Sequence, residues 1–239
     1  MLQSIQQRFG EKLRASDGEI GHVRDFYFDD KTWSVRYLVA DTGHWLAGRL
    51  VLISPHAFGH LYPGGKVLLV NLTRKQIEDS PSLDSDKPVS RQFEEQYHGY
   101  FGWPMYWGGP YVWGAYPLIV RDPEQWTEPA ATDPAWDPHL RSTNEVRGHH
   151  VQATDGEVGH IRDSLVEDET WAIRYLVIDT KNWWPGKSVL VSPEWIDRVS
   201  WPESKVFVDL TREVIREAPE YVAGTPLTRE FETKLHRHY

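Results

Sequence analysis

Hydrophobic and polar positions alternate with a strand period over two stretches of the chain. Trp33, Val35, Tyr37 and Val39 alternate with Ser34, Arg36 and Leu38, and Trp171, Ile173, Tyr175 and Val177 repeat the pattern. A period of two puts successive side chains on opposite faces, so both stretches are predicted strands. Leu50-Val51-Leu52-Ile53 and Val67-Leu68-Leu69-Val70 are continuous apolar runs bounded by Gly and Pro, which predicts buried strands rather than helices. Asp17-Gly18 and Asp155-Gly156 are tight-hairpin dipeptides. Thr73 and Thr211 stand at N-cap positions, with Ile77 and Ile215 on the inner helical face and Pro81 and Pro219 as stops. Ser90 and Thr228 cap a second predicted helix carrying Phe93 and Phe231. Five or six short strands at this spacing make a small barrel or sandwich.

The pattern occurs twice. Residue n aligned with residue n+138 keeps one register without a gap from 15 to 98, with 34 identities in 84 positions. Ala15-Ser16-Asp17-Gly18-Glu19-Ile20-Gly21-His22-Val23-Arg24-Asp25 lies over Ala153-Thr154-Asp155-Gly156-Glu157-Val158-Gly159-His160-Ile161-Arg162-Asp163. Arg36-Tyr37-Leu38-Val39 meets Arg174-Tyr175-Leu176-Val177, and Arg91-Gln92-Phe93-Glu94 meets Arg229-Glu230-Phe231-Glu232. This is an internal duplication. It divides the chain into a first copy at 1–98, an aromatic and acidic connector at 99–146, and a second copy at 147–239.

Those repeated stretches carry a resemblance. Asp-Gly-Glu-Ile/Val-Gly-His-Val/Ile-Arg-Asp, then Trp-x-Val/Ile-Arg-Tyr-Leu-Val, then Val-Leu-Ile/Val-Ser-Pro is similar to the PRC-barrel family. That family covers the cytoplasmic domain of the photosynthetic reaction centre H subunit and the C-terminal domain of a ribosome maturation factor. The resemblance spans roughly 15–98 and 153–236. It implies a mainly β fold with short helices: two small, partly open PRC-type β-barrels in tandem, used as docking and assembly modules. It brings no catalytic residue with it. The reaction-centre subunit also has a membrane-spanning anchor helix, and no run here approaches the roughly 20 apolar residues needed for one.

Charge and composition narrow the function classes. Net charge is −9, distributed as −1 over 1–98, −4 over 99–146 and −4 over 147–239. No segment is basic, which argues against nucleic acid and against an anionic membrane surface. The chain has no cysteine, so disulfides, thiolate ligands and cysteine nucleophiles are excluded together. With no signal-like apolar segment at the start, a cytoplasmic protein is expected.

Candidate chemistry is sparse. His22 and His160 recur in both copies, yet each stands beside Gly, Val/Ile and Arg without a second ligand at metal spacing, so they read as structural. His149-His150 would point to opposite faces of a strand. Asp25 and Asp163 are expected to end strands by accepting from backbone amides. Arg36 and Arg174 are expected either to snorkel outward or to pair with carboxylates such as Asp41 and Asp179. Gly64-Gly65-Lys66 reads as a hairpin turn. No catalytic residue, metal or cofactor is expected.

The connector is the unusual segment, with eight aromatics among residues 100–116. Trp103, Tyr106, Trp107, Tyr111 and Trp113 are large anchors of the kind found at protein interfaces. Their alternative is to wrap around the barrels and fill the space between them. The expected function is a non-enzymatic protein-interaction and assembly module, H-subunit-like, that forms a homodimer and docks a protein partner. The alternative is a small-ligand or metal-binding protein using the His22 and His160 neighbourhoods.

Overall fold

In the computed structural model, residues 1–46, 49–59, 66–81, 89, 91–103, 140–180 and 186–239 are described, with only the backbone for 91–93. They form two compact units. The first comprises 9–141, the second 1–8 together with 142–239.

The first unit contains β2 (Lys12–Ala15), β3 (Gly18–Asp29), β4 (Ser34–Asp41), β5 (Leu50–Ile53), β6 (Val67–Leu69), α1 (Arg74–Glu78) and α2 (Arg91–Phe101). Its sheet runs β5-β4-β3-β2-β6, and the strand β7 (Leu140–Ser142) adds to β3. The second unit begins with β1 (Leu2–Ser4) and continues through α3 (Thr143–Val146), β8 (His150–Ala153), β9 (Gly156–Glu167), β10 (Ile173–Asp179), β11 (Ser188–Val191), β12 (Ile196–Ser200), β13 (Lys205–Val208), α4 (Arg212–Glu217) and α5 (Arg229–His238). Its sheet runs β11-β10-β9-β8-β13-β12, with β1 added to β9. β2/β6 and β8/β13 are parallel pairs, and the other neighbours along each strand order are antiparallel. The expectation of a mainly β chain with short helices holds, and among the described residues neither sheet closes into a barrel.

Both twelve-residue strands bend at register shifts, between Val23 and Asp25 in β3 and where Val177/Ile178 of β10 faces Asp163/Ile161 of β9. An extra residue on one strand sharpens twist and bends it. Asp25 and Asp163 sit at these irregularities, where each carboxylate accepts from the next backbone amide, Phe26 or Ser164, at 2.7 Å. They therefore brace bends within a strand rather than ending it. Just before each bend, Gly21 and Gly159 have φ of +133° and +150°. A Cβ there would lie 1.9 and 2.1 Å from the carbonyl oxygens of Asp41 and Asp179. Only glycine lets the neighbouring strand come so close.

Several expectations need correcting. Trp33 and Trp171 do not begin the strands; they hold φ of 53° and 58° in the turns before them. Each donates its amide to the residue four back, Asp29 or Glu167. Trp33 stacks on Phe28 at 5.2 Å, and buried ring packing holds this disfavoured backbone. β4 is buried on both faces from Ser34 to Ala40, and Tyr97 of α2 packs with Tyr37 and Val39 on one of them. Arg36 is consequently 1% exposed and does not snorkel; of the two alternatives it takes the carboxylate pairing, with Asp29 at 3.5 Å in place of Asp41, and it also donates to Thr32 at 3.0 Å. Val67 and Leu69 face solvent on the edge strand β6, so only Leu68 and Val70 of that run are inside.

The domain boundary also differs from the expected one. Residues 1–8 precede the first copy in sequence, but β1 is bonded to β9 of the second unit. The 138-residue offset extends backwards to Leu2/Leu140, Ser4/Ser142 and Gly10/Gly148. The equivalent strand β7, which precedes the second copy, lies on β3 of the first. In each unit the long strand is therefore paired with a short strand that does not directly precede that unit's own sheet in sequence.

Candidate functional site

In each unit the last helix among the described residues is fastened to the second sheet strand by the same three polar side chains. The Tyr37 hydroxyl donates to Glu94 Oε1 at 2.9 Å and lies 3.0 Å from His98 Nε2. The Tyr175 hydroxyl donates to Glu232 Oε1 at 3.2 Å and lies 3.0 Å from His236 Nε2. Glu and His four residues apart share one helical face, so a single phenol can bridge both. Thr228 caps α5 by accepting from the Phe231 amide, as its sequence position predicts, and Thr73 closes a capping box on α1. Asp17 and Asp155 at the hairpins accept from the first helical amides, Arg74 and Arg212, at 2.7 Å.

The two clusters differ in access. Tyr37, Glu94 and His98 are all 0% exposed, whereas His236 is solvent-exposed and Glu232 half-buried. The cover in the first unit is aromatic. Tyr97 ties α2 to β5 by donating to the Leu52 carbonyl at 2.8 Å and accepting from the Ser54 amide. Gly102, at φ +70°, ends α2 in the left-handed region, and the Trp103 amide bonds back to the His98 carbonyl at 3.0 Å. This closing geometry folds the next residue onto its own helix. Trp103 then stacks on Phe101 at 4.4 Å and His56 at 5.8 Å, with Tyr97 at 5.9 Å. The second unit substitutes Trp195, which meets Tyr239 at 4.2 Å and His236 at 5.6 Å.

Burial raises the phenol pKa values of Tyr97, Tyr175 and Tyr239 well above the usual range, with the Glu232 carboxylate adding to the effect at Tyr175. These groups stay protonated across ordinary pH, and Tyr175 is held as a hydrogen-bond donor. Such an arrangement fastens a helix and shields a carboxylate. In the first unit it offers no solvent-facing atom of Tyr37, Glu94 or His98 to a substrate.

Of the expected interface residues, Trp103 is half-buried in the aromatic cover just described; Tyr106, Trp107, Tyr111 and Trp113 lie outside the described residues. Gly64 and Gly65 lie outside them as well. His22 stands opposite Lys12 and Asp41 in the sheet, and His160 opposite His150 and Asp179. His149 is buried against Trp201 while His150 points outward to Glu157 at 2.9 Å, the opposite-face arrangement expected of neighbours in a strand. Among the described residues, no three His, Asp or Glu side chains gather as a metal site. The Tyr–Glu–His cluster was missed in the sequence because its members are 57 and 61 residues apart. Its signal was available: all three are identical at the 138-residue offset.

Comparison with known proteins places a PRC-barrel domain at residues 10–77, from β2 through α1. A protein of Deinococcus radiodurans described as uncharacterized is 39% identical over 75 residues. That alignment covers 31% of this chain and 26% of the relative, so the chain spans about a quarter of the length of the protein it matches. Among the described residues, no helix is long and apolar enough to cross a membrane.

Proposed function

We propose that the chain is a non-catalytic assembly module built of two tandem PRC-barrels, which docks a protein partner and self-associates through its aromatic connector. The PRC-barrel domain at 10–77 carries this reading, since such domains commonly serve in interaction and assembly. The second unit supports a second copy through its matching strand order, bent long strand and Tyr–Glu–His fastening. The Tyr–Glu–His side chains of both copies bond to one another, and Asp17, Asp25, Asp155 and Asp163 accept from backbone amides, which favours binding over chemistry. The H-subunit likeness extends to this docking role.

Within the connector, Trp103 anchors the segment to the first unit, while Trp107 and Trp113, with Tyr106 and Tyr111, supply the subunit contact. Aromatic residues at this density are anchors of the kind favoured at protein interfaces. Sedimentation velocity over a wide concentration range tests this. The wild type is expected to dimerise, and Trp107→Ala with Trp113→Ala to weaken the dimer at least tenfold without lowering the melting temperature. Trp103→Ala is expected to lower the melting temperature. A wild type that is monomeric throughout overturns self-association by the connector.

A further inference from the structure

The pairing of β1 with β9 defines a binding groove. β9 pairs with β10 along one side from His160 to Val166, and with β8 on its other side only through Gly156–His160. The remainder of that second side, Leu165–Glu167, is taken by β1, with Leu2 opposite Glu167, Gln3 opposite Val166 and Ser4 opposite Leu165. The seat reads side chains as well as backbone. The Ser4 hydroxyl donates to Asp163 Oδ2 at 2.5 Å, and the Gln6 amide donates to Oδ1 of the same carboxylate at 3.0 Å. Gln3 reaches Asp168 at 3.2 Å, the Ile5 amide bonds the Ser164 carbonyl at 2.9 Å, and Ile5 itself is 1% exposed. Leu2 packs against the cluster of Leu165, Tyr175 and Leu235.

The occupant is not contiguous with the unit that holds it. Chain continuity carries residues 1–8 directly into the first unit at Phe9, so the groove takes a strand delivered from elsewhere in the chain. The mirror arrangement, β7 on β3, shows that the same kind of seat exists in both copies. Strand addition to a sheet edge gives affinity through main-chain hydrogen bonds and specificity through alternate side chains. Exchange of an identical element between copies is a low-cost route to dimers, since every contact of the closed form is remade.

We propose that the β9 groove is a strand-acceptor site that also takes the Leu2–Ser4 strand of a second copy of this chain. The cis strand competes at the effective concentration set by its tether, of order millimolar for a short flexible link. Trans exchange therefore follows refolding at high protein concentration. Association through this groove and association through the aromatic connector are distinguished by their covalent trace.

The absence of native cysteine makes a disulfide test clean. Leu2 and Glu167 face each other at a half-buried pair. The full chain carrying both Leu2→Cys and Glu167→Cys should close within one chain on oxidation, which verifies the pairing and that the substitutions fold. Equimolar chains carrying one cysteine each are then refolded together at high concentration, oxidised, and analysed by mass spectrometry. The expected result is a 2–167 interchain link well above the statistical half of all disulfide dimers. A hetero-link at or below one half, or none, overturns the proposal, as does failure of the double variant to close. A dimer formed through the connector persists in the double variant locked within one chain, so either association can fail without the other.

Discussion

Removing the Tyr37 hydroxyl, with Tyr37→Phe, isolates what the buried cluster contributes. The ring and its edge-on contact with Tyr97 at 5.6 Å survive; only the oxygen shared by Glu94 and His98 is lost. Both partners are 0% exposed, so water does not replace it. A hydrogen bond to a charged group contributes about 1.5–3 kcal/mol and a neutral one about 1 kcal/mol, which sets the loss at roughly 2–4 kcal/mol. Tyr175→Phe deletes the same atom from the second unit, where His236 is open to solvent and water can take over. There the expected loss is about 1 kcal/mol. Hydrogen exchange read by mass spectrometry resolves the two units within one full chain. Protection of α2 should fall roughly 30- to 1,000-fold in Tyr37→Phe, and that of α5 less than about tenfold in Tyr175→Phe. Equal effects in the two helices, or no effect on α2, would refute the argument that burial makes this fastening strong.

Two further outcomes follow from the same geometry. Gly21→Ala forces a Cβ into the Asp41 carbonyl at positive φ, combining backbone strain with overpacking. The expected loss is about 3–5 kcal/mol, seen as a collapsed melting transition of the first unit by circular dichroism. Burial, with a smaller contribution from neighbouring His150, lowers the His149 pKa below its ordinary 6.5. The unfolded chain therefore takes the proton first, so stability is full above about pH 6.5 and declines as pH falls below it. His149→Phe should flatten that decline in urea titrations at pH 7 and pH 5, and an unchanged slope would discount the buried imidazole.

Much of this protein was legible in order along the chain. The hairpin at Asp17-Gly18, the caps at Thr73, Thr211 and Thr228, and the inward Ile77 and Ile215 depend on residues a few positions apart. Turn and cap chemistry is local, so sequence alone determines it. The tertiary structure decided what depends on distant partners. Whether Arg36 snorkels or pairs with a carboxylate is decided only by the burial of both faces of β4, which turns it to Asp29. Trp33 reads as a strand residue until its ring is seen to hold a left-handed backbone against Phe28. The bond from Tyr37 to Glu94 spans 57 residues and exists only because α2 returns across β4. Which sheet receives Leu2–Ser4 is decided last of all, since an isolated three-residue strand carries too few hydrogen bonds to choose. Its place comes from the Asp163 carboxylate and the apolar seats for Leu2 and Ile5, which the second unit assembles some 160 residues away in the chain.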